Sequence, residues 1–240
     1  MNTAFEIETG EAPKIENDQS AFVTAVRVHN ALTAKVEKRL LNWIAQRLPA
    51  AIHPDHLTGL ALAAQILAGA GYALAAHEAR ALWLVNFLLV LNWFGDSLDG
   101  TVARIRNQQR PRYGFYVDHI ADAFGALALM AGLGCSGYLH WQIAAGLLVG
   151  FYALSIESYL ATYTIGRFHL SHGIFGPTEI RIALVAGNAF ICGHPYVNIA
   201  NRNFLLFDVG GVVAIAGMAV MFLTVSVRHT GFLYRQERVR

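Results

Sequence analysis

Charged side chains are scarce in this sequence of 240 residues. Aspartate, glutamate, lysine and arginine make up 14% of the chain, whereas hydrophobic residues make up 55%. These proportions lie well outside the range of ordinary soluble domains and indicate an integral membrane protein. The formal net charge of +2 is too small to suggest a nucleic-acid partner.

Cysteine, long linkers and internal repeats are also scarce or missing. Cys135 and Cys192 each lie in an apolar run, so neither a disulfide framework nor a cysteine metal site is indicated. The first twenty residues are acidic and lack the basic and apolar regions of a cleaved signal peptide. We therefore expect a disordered cytoplasmic tail at 1–20, an amphipathic helix within 21–50, one transmembrane domain at 51–230 and a cytoplasmic tail at 231–240.

Apolar stretches long enough to span a bilayer recur along the chain. A spanning helix needs about 20 mostly apolar residues, and none of these stretches shows the alternation expected of a barrel strand. The six predicted spans are approximately 57–76, 81–99, 114–137, 141–165, 178–195 and 208–228. The sequence thus predicts an all-α membrane protein with about six transmembrane helices.

Cations are distributed unevenly between the predicted spans. Most lysines and arginines precede the first span or fill the connection between the second and third. By the positive-inside rule, this connection and both termini lie in the cytoplasm. Ahead of the first span, apolar residues recur every fourth position from Leu32 to Leu48, with cations between them and Trp43 nearby. This pattern predicts an interfacial amphipathic helix on the cytoplasmic side; the alternative is a helix packed on another protein.

Four aspartates stand out in this apolar chain. Asp96 and Asp99 are three residues apart, and Asp118 and Asp122 are four apart, so each pair projects from one face of a helix. Four such carboxylates could cost on the order of 10 kcal/mol at mid-membrane. Divalent cations, loop arginines or protons can compensate that cost, and carboxylate oxygens favour Mg²⁺ or Mn²⁺.

Small residues and an arginine accompany the aspartates. Gly100, Ala103 and Arg104 follow Asp99 on nearly the same face, and Gly114 opens the next helix. Small residues allow a flat or phosphorylated ligand to approach the backbone, and the arginine adds a charge for phosphate. Together with metal-binding carboxylates, this set is typical of a site for a nucleotide diphosphate.

The spacing of these residues resembles the signature of the CDP-alcohol phosphotransferases. Nine residues separate Arg104 from Gly114, a slightly longer connection than is usual in that family. The stretch from Pro54 to Thr58 also resembles the family's lead into its first span, with Asp55 in place of an asparagine. The matching residues are Asp96, Asp99, Gly100, Ala103, Arg104, Gly114, Asp118 and Asp122.

The resemblance implies a function and a set of roles. A substituted phosphoryl group would pass from a CDP-linked donor to an alcohol hydroxyl, with release of CMP, at a two-metal site of Mg²⁺ or Mn²⁺. Asp122 would be both a metal ligand and the general base, and the other implied ligands are Asp96, Asp99 and Asp118. The residues implied to bind CDP are Thr58, Gly100, Ala103, Arg104 and Gly114.

The donor is open between two arrangements. CDP-diacylglycerol can donate to a polar alcohol, or a CDP-amino-alcohol can donate its head group to diacylglycerol. Glu157 and Tyr159, followed by Gly176, Pro177 and Glu179, resemble a pattern of choline and ethanolamine phosphotransferases, which slightly favours the second arrangement. The candidate residues for the acceptor or head group are Glu157, Glu179, Arg110 and Arg112.

Other interpretations stay open at this stage. Intramembrane carboxylates also mark ion or proton transport, and the chain could be a carboxylate-lined transporter or a non-catalytic scaffold. A structural ion-pair network with the loop arginines would also account for the aspartates. Asn92, one turn before Asp96, suits either a partner of the aspartates or a bond to a neighbouring helix. Small residues from Gly210 to Gly217 permit a homodimer, and we expect a prokaryotic plasma membrane with the site facing the cytoplasm.

Overall fold

The computed structural model of the protein describes residues 34–165 and 177–237. The predicted tail at 1–20 lies outside the described residues, and so does Gly176 of the pattern that resembles choline and ethanolamine phosphotransferases. The described chain contains only helices and one short hairpin. In chain order the elements are α1 (Ala34–Ala45), α2 (Pro54–Ala75), α3 (Ala81–Ile105), α4 (Pro111–Gly134), α5 (Trp141–Ile165), α6 (Pro177–Ile191), β1 (Tyr196–Ile199), β2 (Arg202–Leu205) and α7 (Leu206–Gln236).

Five of these helices are long and apolar enough to cross a membrane: α2, α3, α4, α5 and α7. The prediction of an all-α membrane protein is confirmed. The fifth predicted span, 178–195, corresponds to α6, which has 15 residues and is therefore roughly 22 Å long, shorter than the hydrocarbon core of about 30 Å. At the other extreme, α7 continues through Gln236, eight residues beyond the predicted end of the last span.

Proline marks the first turn of three helices. Pro54, Pro111 and Pro177 begin α2, α4 and α6. Proline is favoured there because its fixed φ suits a helix and its missing N–H would have no helical partner in the first turn. The observed starts of α2 and α4 each lie three residues before the predicted spans, which begin at about 57 and 114.

The core of the bundle is formed by α2, α3 and α4. Tyr72, Leu82 and Leu89 are almost fully buried there, with Leu133 of α4 against them. A Cβ built on Gly132 would overlap the carbonyl of Gly69. The backbones of α2 and α4 thus approach closely, as small residues allow between transmembrane helices.

Helix α6 is attached to this core by buried amides. The Tyr72 hydroxyl donates to Asn188 Oδ1 over 2.9 Å, and Asn188 Nδ2 donates to Asn86 Oδ1 over 2.8 Å. Asn86 Nδ2 in turn donates to the Val185 carbonyl over 3.3 Å. These bonds join α2, α3 and α6 where no water competes, so they fix the register of α6 against α3.

Helix α1 occupies the middle of the predicted amphipathic segment and packs on α3. Leu41 and Ala45 are buried in a cluster that includes Leu98 and Val102, whereas Trp43 is 54% exposed. One face of α1 therefore contacts the bundle within the same chain and the other is open. The buried face of α1 includes Leu41 and, one turn later, Ala45.

A hairpin joins α6 to α7 at the end of the bundle remote from the aspartates. Its strands pair in antiparallel register, with Ile199 opposite Arg202. The two turn residues, Ala200 and Asn201, have φ of 50° and 65°, the positive values that a tight two-residue hairpin needs. No sequence signal had predicted these strands.

Candidate metal and nucleotide site

The four aspartates line a single pocket between α2, α3 and α4. Their spacing along α3 and α4 places each pair on one helix face, and the packing of both helices on α2 turns the two faces toward each other. The convergence expected from the sequence is therefore present. The residues that line the pocket are Thr58, Ala61, Leu62, Gln65, Asn92, Asp96, Asp99, Asp118, Ala121 and Asp122.

Three of the carboxylates form a tight group. Asp96, Asp118 and Asp122 each offer one oxygen, and these oxygens lie within 4.8 Å of one another. Asp99 Oδ2 instead accepts a hydrogen bond of 2.7 Å from the Thr58 hydroxyl. Thr58 lies one turn into α2, so the start of α2 holds Asp99 in place.

The composition of the pocket suits a hard divalent cation. All of its titratable groups are carboxylates, and half-buried like charges at this separation require compensation. The nearby ring of His119 is directed elsewhere: its Nδ1 lies 2.6 Å from the Phe115 carbonyl and 3.9 Å from Asp118 Oδ2. Because a carbonyl only accepts, this nitrogen carries the proton and cannot coordinate a metal in that arrangement.

An arginine from α6 contacts one of the aspartates that line the pocket. Arg181 forms an ion pair of 2.9 Å with Asp96 Oδ2, and its Nε donates to Asn92 Oδ1 over 2.7 Å. Asn92 Nδ2 donates to the Ala61 carbonyl over 2.9 Å and lies 3.3 Å from Gln65 Oε1. Both expected roles of Asn92 are thus combined, since its amide bonds a neighbouring helix and also holds a partner of Asp96.

Two of the loop arginines are engaged away from the aspartates. Arg106 donates to the carbonyls of Leu48 and Ile52 over 2.8 and 2.6 Å, which closes the connection between α1 and α2. Arg110 pairs with Asp55, and its guanidinium lies 4.1 Å from the Tyr113 ring centroid. The hydrogen bond from Arg110 to Asp55 raises the pKa of the guanidinium. A purely structural network between these two arginines and the four aspartates is therefore not what the described residues form.

The residues implied to bind CDP extend from the pocket toward the α3–α4 connection. Gly100 and Ala103 are half-buried on α3, and Arg104 is exposed with one Nη donating to the Thr101 hydroxyl over 3.0 Å. On α4, Gly114 precedes Asp118 by one turn. A Cβ built on Gly114 would meet nothing within 4 Å, so packing within the chain does not require glycine there.

The two candidate head-group glutamates occupy different surroundings. Glu157 Oε1 lies 2.6 Å from His229 Nδ1, in the contact between α5 and α7, and Glu157 is not among the residues that line the pocket. Glu179 is half-buried in the first turn of α6, two residues before Arg181. Arg112, the other candidate besides Arg110, is exposed beside the start of α4.

The sequence did not single out Gln65, which lines the pocket, or Arg181, which contacts Asp96. Arg181 is the only cation of α6, and an intramembrane cation calls for an acidic partner. That signal could have identified Arg181 but not which aspartate it meets. Gln65 carried no comparable signal, because one amide in a spanning helix is common.

A known family matches most of the chain. Residues 51–226 match a family model described as "CDP-alcohol phosphatidyltransferase". The matched range contains all the residues that line the pocket and both helices that carry the aspartates. No curated protein matches the chain.

Proposed function

Because the chain belongs to the CDP-alcohol phosphatidyltransferase family, whose members are transferases of phospholipid synthesis, we propose a metal-dependent transfer at the aspartate pocket. A substituted phosphoryl group passes from a CDP-linked donor to an alcohol hydroxyl, and CMP is released. The donor, the metal dependence and the residue roles below are parts of this proposal.

One observation carries the proposal: carboxylates from α3 and α4 face each other in one pocket, with three oxygens within 4.8 Å of one another. A transport pathway across the membrane would be expected to place its polar groups near mid-membrane, commonly at broken helices. Here the aspartates lie in the second half of α3 and the first half of α4, on either side of a short connection. The arrangement favours surface-facing chemistry over transport.

The carboxylates fit a pair of divalent cations. Asp96, Asp118 and Asp122 supply the clustered oxygens, and Asp99, held by Thr58, supplies the fourth carboxylate. Oxygen ligands of this kind favour Mg²⁺ or Mn²⁺. When bound, such ions neutralise the diphosphate oxygens and make CMP a better leaving group.

Asp122 acts as the general base in this proposal. It lies one turn further into α4 than Asp118 and lines the pocket beside it. The acceptor oxygen attacks the phosphorus of the group to be transferred, and its proton passes to the Asp122 carboxylate. The bond from that phosphorus to the bridging oxygen breaks, and its electron pair leaves with CMP.

The nucleotide half of the donor lies along the aspartate ends of α3 and α4. The open space around Gly114 gives the donor access to the backbone of α4, and Arg104 offers a guanidinium to a phosphate. Gly100 and Ala103 have no large side chain, so they leave space for the nucleotide beside the backbone of α3 between Asp99 and Arg104. These four residues therefore form the nucleotide side of the pocket.

The positions of Glu157 and Arg181 bear on whether the donor is a CDP-amino-alcohol or CDP-diacylglycerol. Glu157, which favoured a CDP-amino-alcohol in the sequence, contacts His229 instead of the pocket. Arg181 is paired with Asp96 of the pocket, and this cation would not attract an ammonium head group. The surroundings of Glu157 and Arg181 therefore remove the slight preference for a CDP-amino-alcohol donor. CDP-diacylglycerol with a polar alcohol is an equal candidate.

The test is CMP release by the purified protein in detergent with Mn²⁺ or Mg²⁺. One reaction series contains CDP-choline or CDP-ethanolamine with diacylglycerol, and the other contains CDP-diacylglycerol with a panel of polar alcohols. We expect release in one series, abolished by EDTA and lowered by about 10²- to 10⁴-fold in Asp122→Asn, because a general base contributes a factor of that size.

Glu78→Gln is the matched control. It makes the same change from carboxyl to amide at an exposed position in the α2–α3 connection, at the other end of the bundle, and should leave CMP release unchanged. Absence of release in both series, together with no binding of Mn²⁺ or CDP, would contradict the proposed function.

A further inference from the structure

Arg181 holds the carboxylate of a proposed metal ligand by an ion pair. Its Nη2 lies 2.9 Å from Asp96 Oδ2, and the side chain is only 14% exposed. Asp96 also belongs to the group of three carboxylates whose oxygens approach within 4.8 Å. The same carboxylate is therefore shared between a fixed cation of the protein and the proposed divalent cation.

The hydrogen bond and the ion pair that hold the guanidinium both come from α3. Asn92 Oδ1 accepts from Arg181 Nε over 2.7 Å, and Asn92 is itself held by the Ala61 carbonyl through Nδ2. The amide is thereby oriented with its oxygen toward Arg181, since its nitrogen is already engaged. Arg181 thus contacts the cluster through Asp96 on α3.

A divalent cation bound to Asp96 would lie one carboxylate away from this guanidinium. Two cations at that separation repel each other strongly in a partly buried site. The contact with Arg181 also orients the Asp96 carboxylate, which favours metal binding. This gain is smaller than the repulsion between the cations, because Asp96 already has a fixed backbone position on α3. Repulsion therefore outweighs orientation, and metal binding weakens the contact between Arg181 and Asp96.

The geometry points to Arg181 as an internal counter-ion of Asp96, which a divalent cation displaces and which then binds an anionic group of the substrate. This inference rests on the proposed function of the pocket. A guanidinium has five N–H donors and no acceptor, so an oxygen anion is the ligand that it suits. Arg181 is then a positioning residue that makes metal and substrate bind in a coupled manner.

The first experiment measures Mn²⁺ affinity of the purified protein by the electron paramagnetic resonance signal of free Mn²⁺. We expect Arg181→Gln to bind Mn²⁺ about tenfold more tightly than the wild type, a typical coupling between two sites. Arg181→Lys keeps the charge and should stay near the wild-type affinity. Asn92→Ala keeps the guanidinium but removes its anchor, and should tighten binding by a smaller factor.

The second experiment repeats the titration with CDP present. We expect CDP to tighten Mn²⁺ binding by a larger factor in the wild type than in Arg181→Gln, because only the wild type transfers a guanidinium from Asp96 to the diphosphate. The matched control is Arg80→Gln, which removes an arginine that is 90% exposed at the other end of the bundle, and it should match the wild type in both titrations.

The outcomes separate this inference from the proposed function. Unchanged or weaker Mn²⁺ binding in Arg181→Gln, with normal binding by the wild type, would overturn the counter-ion role and leave the metal site standing. Arg181→Lys behaving like Arg181→Gln would show that the geometry of the tether matters and not the charge, and would also overturn it. No Mn²⁺ binding by the wild type would overturn both this inference and the proposed metal dependence.

Discussion

Two kinds of glycine occur on the helices that carry the site. Gly132 is buried where α4 crosses α2, and a Cβ there would overlap the Gly69 carbonyl. Gly114 is exposed one turn before Asp118, and a Cβ there would meet only open space. At the residue scale, therefore, one glycine serves the packing of the chain, whereas the other has no structural requirement and suits a ligand.

Substitution by alanine distinguishes the two. Gly132→Ala should destabilise the protein by about 1–3 kcal/mol, because the added methyl forces two helix backbones apart. Gly114→Ala should not destabilise it, since alanine is favoured over glycine within a helix by about 0.5–1 kcal/mol. It should instead raise the KM for the CDP-linked donor several-fold.

Thermal unfolding in detergent and donor titration in the CMP-release assay measure these effects. Equal melting temperatures for the two variants would contradict the packing role of Gly132. An unchanged KM in Gly114→Ala would remove Gly114 from the proposed nucleotide pocket while leaving the fold description intact.

At the scale of elements, α6 is attached to α3 by polar contacts near both of its ends. It is too short to span the hydrocarbon core alone, and it meets α3 through Arg181 near its start and Asn188 near its end. The second contact buries an amide completely between Asn86 and Tyr72. Specific hydrogen bonds thus set where α6 lies, and with it the position of Arg181 beside Asp96.

Removal of the deeper contact should loosen α6. Asn188→Ala deletes two interhelical hydrogen bonds, which in membrane proteins average about 0.6 kcal/mol each and reach about 1.7 kcal/mol. We expect a loss of about 1–2 kcal/mol in unfolding free energy, measured by thermal or denaturant unfolding in detergent. Val213→Ala on α7, where the side chain is 68% exposed, is the control and should unfold like the wild type; a loss as large as that of Asn188→Ala would contradict the assignment.

At the scale of the whole molecule, the two ends of the bundle differ in chemistry. The aspartate end has the pocket, the arginine-containing α3–α4 connection and α1, with Trp43 exposed under the Arg47 guanidinium at 4.1 Å. The other end has the hairpin and the exposed Cys135 that follows α4. By the positive-inside rule, we propose that the aspartate end faces the cytoplasm.

Cysteine labelling in intact cells tests this orientation. In a Cys192→Ser background, a membrane-impermeant maleimide should label Cys135 from outside. With both native cysteines replaced by serine, Gln108→Cys in the exposed α3–α4 connection should react only after the membrane is permeabilised. The opposite pattern would place the pocket on the outer face and contradict the proposed localisation.

Composition, helix periodicity and motif spacing by themselves determined the class of protein and indicated that the four aspartates converge. The apolar runs predicted the helices, and the spacing of the aspartates indicated two facing pairs. The resemblance to the CDP-alcohol phosphotransferases is confirmed by the match over residues 51–226. These features are local, because a helix face is set by the residues three and four positions apart on the same chain segment.

Only the tertiary structure decided which residues meet across helices. It brought Arg181 to Asp96 and Thr58 to Asp99, and it directed Glu157 to His229 instead of the pocket. It also showed that Ala200 and Asn201 form a hairpin turn, which no periodic pattern in the sequence predicted. These partners lie far apart in sequence, and they meet because of the way the helices cross and the register in which they pack. The crossing and the register depend on the shapes and the buried amides of the whole bundle.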